Sequence, residues 1–303
     1  MHCNTLSDEP FTHTMDNIVK DQHQSHGGFC ELDDDYEHAD GSGEYIIENV
    51  LMEKPSQGTS KSFEDLSNLY NSFYDSHCNC VGTTENCRDY QTCYHGGCYS
   101  IFGGDSNKTE LILNKQRNVK DLLYECNAQC SCSLDLCTNR LVQLGPRKNL
   151  KIVNATKLNN QFALSTDQFI PEGGFICEYA GEVLTEREAL NRNVRNRDRK
   201  LKNYLICLNE YPTSHGSATS HGIQTFIDAG IKSNIGRYLN HSCDPNCEIL
   251  SVRIDGPVPK LAIFARKDIT AGEELCFDYG DVKSKLSDKQ QCLCGTSKCR
   301  RYF

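Results

Sequence analysis

The chain has 303 residues, 41 Asp and Glu against 32 Lys and Arg for a formal charge of -9, and 19 cysteines. Length allows more than one folded unit, while no window of about 18 apolar residues exists to span a membrane and the first residues, MHCNTLSDEPFTHTMDN, lack the basic-then-apolar pattern of a secretory signal. The cysteines are therefore expected in a reducing compartment, where an odd total and close Cys-x-Cys pairs suit metal better than disulfides.

Residues 1–76 hold 16 acidic and 3 basic side chains, leaving 25 acidic and 29 basic for the remainder. The run Glu31-Leu32-Asp33-Asp34-Asp35-Tyr36-Glu37 offers too little apolar surface to order itself, so this region reads as acidic and largely flexible. Two stretches are able to dock on the rest of the chain: Tyr45 to Leu51, and Phe63 to Tyr74, where Leu66, Leu69, Tyr70 and Phe73 recur at helical spacing.

Nine cysteines then fall in two clusters: Cys78, Cys80, Cys87, Cys93 and Cys98, and, after a polar gap, Cys126, Cys130, Cys132 and Cys137. Nine thiolates are too few for three separate four-cysteine zinc sites. They suffice for three tetrahedral zincs if three sulfurs each bridge two metals. His95 competes with Cys98 for a terminal position, and because only a thiolate bridges, the sulfur count favours Cys98. Counting the charge of the metallated thiolates, the body of the chain is close to neutral, which excludes a basic, sequence-specific DNA binder. The densest basic stretch, Arg192 to Lys202, reads as a solvated face.

Beyond the cysteines, short apolar or alternating runs predict strands at Lys151 to Val153, Phe175 to Tyr179, Tyr204 to Leu208, Thr225 to Ile227, Ile249 to Ile254, Leu261 to Ala265 and Glu274 to Phe277. Between them, Thr185 and Glu188 form a capping box for one polar helix running towards Arg199. Many strands with few helices predict a mainly β fold, and no phosphate-binding glycine motif supports a nucleotide-binding one. The C-terminus carries Cys292, Cys294 and Cys299, an incomplete zinc site for which Cys243, in the polar segment Arg237 to Asn246, is the obvious fourth donor.

Six segments in order carry a resemblance over about three quarters of the chain: the nine-cysteine block, Thr138-Asn139-Arg140, Phe175 to Val183, Arg237 to Asn246, Glu274 to Gly280, and the final Cys-x-Cys-x4-Cys. Together they resemble the SET-domain protein lysine methyltransferases of the suppressor-of-variegation group, which methylate lysine 9 of histone H3. The stretches Phe226 to Gly236 and Val252 to Ala262 are especially similar to the SET half of the transposase-fused SET proteins.

The resemblance implies a SET β fold with a threaded pseudoknot and a division into an acidic N-terminal region (1–76), a pre-SET module with three Zn2+ (77–140), a SET domain (141–281) and a post-SET module with one Zn2+ (282–303). It implies S-adenosylmethionine as cofactor, held by Tyr204, Arg237, Asn240, His241 and the segment Gln161-Phe162-Ala163. That segment stands where the family has Gly-Trp-Gly, and its side chains occupy positions where glycine lets backbone approach the cofactor. Tyr279 matches the catalytic tyrosine, Tyr204 a second tyrosine of the lysine channel, and Phe277 the position controlling product number. With no hydroxyl to tether a water, Phe277 points to di- or trimethylation. The expected substrate is histone H3 or the nucleosome, the setting the nucleus and chromosome, with recruitment by chromatin proteins and no membrane. A catalytically silent chromatin scaffold, or a methyltransferase for another histone or non-histone lysine, stands as the alternative.

Overall fold

The computed structural model describes residues 34–41, 43–55, 61–80, 93, 96–103, 110–117, 122–132, 137–155, 161–210, 223–280 and 290–302. Three four-stranded sheets carry the fold among the described residues. The first orders Leu205–Glu210, Ile223–Asp228, Glu182–Leu184 and Val50–Leu51; the second Asn240–His241, Glu274–Phe277, Gln161–Thr166 and Leu150–Ala155; the third Leu123–Tyr124, Cys247–Arg253, Lys260–Ala265 and Phe175–Glu178. Their apolar faces meet in one core containing the fully buried Leu164, Ile176, Ile227, Ile235, Leu261 and Ile263. The mainly β architecture is the one expected, and the seven runs read as strands lie in strands, with ends shifted by one or two residues.

Several strands escaped the sequence reading. Gln161–Thr166 is central to its sheet although only part of it is apolar, and Val50–Leu51 and Asn240–His241 are two-residue strands that exist only by pairing with distant partners. Chain segments this short have no periodicity to read.

The described part of the N-terminal region, residues 34–41, 43–55 and 61–76, is more ordered than its composition suggests. Tyr36 packs against the main core, donates to the Arg147 carbonyl at 2.7 Å and accepts from the Leu150 amide at 3.0 Å. Glu44–Tyr45 pairs in parallel with Lys232–Ser233, and the Asn49 side chain accepts from the Gly181 amide at 3.0 Å. The low apolar content was compensated by backbone and tyrosine hydrogen bonds, which composition does not count. Within the helix Lys61–Tyr70 the buried contact is Phe63, with Leu66 beside it, whereas Leu69 and Phe73 are exposed.

The helix Glu186–Asp198 begins as expected, with the Thr185 hydroxyl accepting from the Glu188 amide at 3.3 Å. The reciprocal half of the capping box is replaced. The Glu188 carboxylate accepts from Arg192 Nε at 3.0 Å, and Arg192, expected on a solvated face, is buried with its Nη1 2.6 Å from Glu182 and 2.9 Å from Asp228. This correction has a plain cause: two buried carboxylates on adjacent strands require a cation, and the helix supplies it.

Arg192→Ala should therefore destabilise the protein by on the order of 3 kcal/mol, because it leaves Glu182 and Asp228 buried without their counter-charge. Urea unfolding at unchanged zinc content measures it, and a loss below about 0.5 kcal/mol, the level of an ordinary surface substitution, would assign Arg192 to the solvated face after all.

Candidate active site

The sulfur atoms assemble in two places. Near the N-terminal side, Cys78, Cys80 and Cys93 form one group, Cys78, Cys126 and Cys130 a second, and Cys126, Cys132 and Cys137 a third, the sulfurs of each lying within 4.8 Å of one another. Cys78 and Cys126 each belong to two groups, as bridging ligands must. Sulfurs about 2.3 Å from a tetrahedral zinc lie about 3.8 Å apart, and Cys78–Cys126 and Cys93–Cys126 are separated by 4.0 and 3.7 Å. The donor set fits zinc. Amide donors surround it: Cys78 N and Asn127 N each reach Cys130 Sγ at 3.3 Å, and the Arg140 guanidinium lies 3.7 Å from Cys132 Sγ, countering the charge of a thiolate-rich cluster.

Cys98 does not join these groups. Its thiol donates to the Tyr124 carbonyl at 3.1 Å, packs among Tyr99, Leu113 and Phe264, and is pushed up to about 12 by burial. Sulfur counting favours Cys98, and among the described residues its thiol lies instead against the hydrophobic core, which also takes thiols. Cys87 and His95 lie outside the described residues.

The second sulfur group joins Cys243 to Cys292, Cys294 and Cys299, again within 4.8 Å, with Cys243 and Cys292 3.6 Å apart. Arg300 fastens this C-terminal module, donating its amide to Cys243 Sγ at 3.3 Å and its guanidinium to Asp278 at 2.9 and 2.5 Å. Sequence reasoning missed Arg300, whose only signal was its place beside Cys299.

Between the module and the sheets, the segment Leu239 to Cys243 is threaded through the fold. Asn240–His241 pairs in parallel with Cys276–Phe277, and the Ser242 amide donates to the Phe277 carbonyl at 3.0 Å. Gly236 permits the passage, since a Cβ there would lie 2.5 Å from the Glu178 carbonyl. Each polar side chain of the segment ties two parts together. Asn240 Nδ2 donates to the Phe162 carbonyl at 3.1 Å and to Glu274 at 2.9 Å. His241 Nδ1 accepts from the Tyr279 amide at 3.2 Å, so its proton sits on Nε2, 3.3 Å from Cys243 Sγ. Burial lowers the imidazole pKa, so the 3.7 Å approach of Nδ1 to Asp278 is not an ion pair.

A cavity opens beside this segment, lined by Gln161, Phe162, Tyr204, Arg237, Asn240 and His241 among others, with Tyr279 on its wall. Ala163 is fully buried and outside the lining, so only the first two residues of Gln161-Phe162-Ala163 face the cavity. The Arg237 guanidinium stands over the Tyr204 ring, 4.6 Å from its centroid. Aromatic walls for a base and cations for a carboxylate fit a nucleoside bearing an amino acid, the character of S-adenosylmethionine.

Beside the cavity, behind Tyr279, three aromatic rings meet. Phe277, buried, lies 4.7 Å from the Tyr279 ring and 6.3 Å from that of Tyr179, while the Tyr179 hydroxyl donates to the Tyr204 carbonyl at 2.7 Å. Tyr179 fixes the backbone of Tyr204, a role that its place inside the Phe175 to Val183 motif did not disclose. The Tyr279 hydroxyl donates to the Leu239 carbonyl at 2.8 Å; the residue as a whole is 42% exposed, but its hydroxyl end is shielded, and that desolvation, then neighbouring Tyr204, raises its pKa above the usual phenol range. It stays protonated at neutral pH, and with its proton committed it meets an incoming group as an acceptor.

The SET domain family profile matches residues 161–280. The chain is 38% identical over 212 residues to the probable histone-lysine N-methyltransferase set-23 of Caenorhabditis elegans, covering 68% of this chain and 82% of that protein. The crystal structure of the methyltransferase domain of human SETMAR is similar with a TM-score of 0.65 at 32% identity, covering 88% of this chain and 90% of that one. KRYPTONITE in complex with mCHH DNA, an H3(1–15) peptide and SAH matches with a TM-score of 0.57 at 25% identity over 86% of this chain and 47% of that one.

Metal analysis of the purified chain should find about four zincs, three in the N-terminal cluster and one at Cys243. Cys98→Ala should leave that number unchanged, whereas Cys126→Ser, removing a shared sulfur, should lower it. Loss of zinc in Cys98→Ala would return that thiol to the ligand set.

Proposed function

The chain belongs to the SET-domain family of histone-lysine N-methyltransferases, and within it we propose that the substrate is lysine 9 of histone H3, carried to the di- and trimethyl stage with S-adenosylmethionine as methyl donor. The family membership makes it an enzyme. Support for histone H3 comes from the likeness to KRYPTONITE with its H3 peptide, and for lysine 9 from the suppressor-of-variegation motifs. We read residues 77–140 and 282–303 as the zinc modules flanking a SET domain at 141–281, and the nucleus as the place of action, where chromatin proteins recruit the enzyme to its nucleosomal substrate.

When bound, the cofactor supplies a methyl group already activated on a sulfonium, so the chain's task is to position an amine and keep water away. Arg237, Tyr204, Asn240, His241 and the Gln161-Phe162 segment hold the cofactor. An aromatic channel of Tyr204, Phe277 and Tyr279 disfavours the charged ammonium and leaves the lysine amine neutral. Because the Tyr279 proton is held by the Leu239 carbonyl, its hydroxyl accepts an N–H of that amine and turns the nitrogen lone pair towards the methyl. This hydrogen bond is the observation that carries the reading. A phenol with a raised pKa is an orienting group, not a phenolate base.

The enzyme reading also accommodates Gln161-Phe162-Ala163. Its buried alanine fits without entering the cavity, and the Phe162 carbonyl is engaged by Asn240.

Incubation with labelled cofactor and a panel of histones and H3 peptides should transfer label to H3 alone, and an H3 peptide with lysine 9 replaced by arginine should take none. Label on another lysine would redirect the substrate assignment while leaving the activity intact.

Tyr279→Phe should bind cofactor normally yet turn over about 100-fold more slowly, the scale of a lost orienting or acid–base group. Phe277→Tyr adds a hydroxyl that hydrogen-bonds the amine or holds a water, and products should shift to monomethyl-lysine with turnover retained. Mass spectrometry of the peptide reads both, and an unchanged product distribution in Phe277→Tyr would remove that residue from the channel.

A further inference from the structure

The acidic stretch ahead of the folded body reaches the cofactor cavity. Tyr36 anchors it to Arg147 and Leu150, and Asp34 holds the returning chain by accepting from the Tyr45 hydroxyl at 3.0 and 3.1 Å. Between these anchors the chain crosses Tyr238. The Tyr238 hydroxyl gives its proton to Asp40 Oδ1 at 3.1 Å and accepts from the Ala39 amide at 3.2 Å, with His38 Nδ1 at 3.2 Å. Tyr238 is itself buried and packs edge-on against Phe162 with centroids 6.0 Å apart. Asp40 is thus held at the cavity wall by a rigid residue.

The charges around that wall are mixed. Among the described lining residues Lys202 and Arg237 are the cations and Asp40 supplies the one carboxylate. A methionine-type amino acid presents both signs, an α-carboxylate and an α-ammonium, and each loses hydration on entering a cavity unless a partner of opposite charge replaces it. Arg237 and Lys202 answer the carboxylate. Cys294, the other described lining residue able to carry negative charge, is taken up by the C-terminal sulfur group, which leaves Asp40 to answer the ammonium.

We infer that Asp40 is a cofactor-binding residue that receives the α-ammonium of the cofactor's amino-acid end, so that the N-terminal segment forms part of the cofactor site. This rests on the reading that the cavity binds S-adenosylmethionine. The hydrogen bond from Tyr238 to Oδ1 orients the carboxylate, and the attraction involves its charge alone, so it is shared by S-adenosylmethionine and S-adenosylhomocysteine.

Isothermal titration of the full, zinc-loaded chain tests it. Asp40→Asn keeps the shape and the Tyr238 contact but removes the charge, and should weaken S-adenosylhomocysteine about three- to fivefold, the scale of an ion pair at an exposed carboxylate. Asp40→Glu should recover part of the loss. The discriminating ligand is an S-adenosylhomocysteine analogue lacking the α-amino group, which should bind the parent and Asp40→Asn equally. Equal binding of S-adenosylhomocysteine to parent and Asp40→Asn would overturn the assignment, as would an equal loss for both ligands, which would mean that Asp40 acts only by supporting Tyr238. A parent chain that binds neither ligand would overturn the cofactor reading itself, and the assignment with it.

Discussion

Everything at the site depends on one threaded segment, Leu239 to Cys243, pairing in parallel with Cys276 and Phe277. The Leu239 carbonyl holds the proton of Tyr279, Asn240 reaches the Phe162 carbonyl, and His241 spans from the Tyr279 amide to Cys243 Sγ. Asn246 completes the tie, donating to the Glu274 carbonyl at 2.8 Å and accepting from the Cys276 amide at 2.9 Å. Individually such partly buried bonds contribute about 1 kcal/mol. Side chains that resemble cofactor ligands thus also tie the fold, linking Tyr279, the cavity wall and the C-terminal sulfur group.

Buried charges fasten the outer segments to this centre. Arg253 forks onto Glu210 at 2.8 and 2.5 Å, and Lys260 reaches Glu178 at 2.9 Å and Glu48, from the N-terminal region, at 3.1 Å. Removing one member of such a pair leaves a charge in a low-dielectric interior, which costs about 3–5 kcal/mol. Glu125 is solved differently. Fully buried, it accepts from the Tyr99 hydroxyl, from the amides of Leu141, Val142 and Gln143, and from the Gln143 side chain, at 2.6 to 3.3 Å. That carboxylate joins the cysteine-rich module to the sheets, beside the parallel pairing of Leu123–Tyr124 with Val252 and Arg253.

Beyond Glu125 and this pairing, the described residues around Cys78 and Cys126 pack chiefly on sulfur. The module's interior is the sulfur cluster itself, with Cys78, Cys80, Cys93, Cys126, Cys130 and Cys137 buried against one another. A metal held by such a sulfur cluster would add folding energy to a module with so small an apolar interior. The module's amide and guanidinium donors aim at sulfur, with Arg140 beside Cys132 and two amides on Cys130.

Local sequence determined whatever depended on residue type and short spacing. The Cys-x-Cys pairs, the seven apolar strand runs, the Thr185 cap and the polar segment around Asn240 and His241 were legible because their chemistry is local: ligand spacing, period-two alternation and an orphan helix amide. Tertiary structure alone decided which of equivalent residues did what. It placed Cys98 in the apolar core and Cys126 between two sulfur groups, sank Arg192 between Glu182 and Asp228, and laid Asp40 against the cavity. In each case the deciding partner lies tens of residues away in sequence, and burial or pairing with a distant group leaves no periodic trace in the chain that carries it.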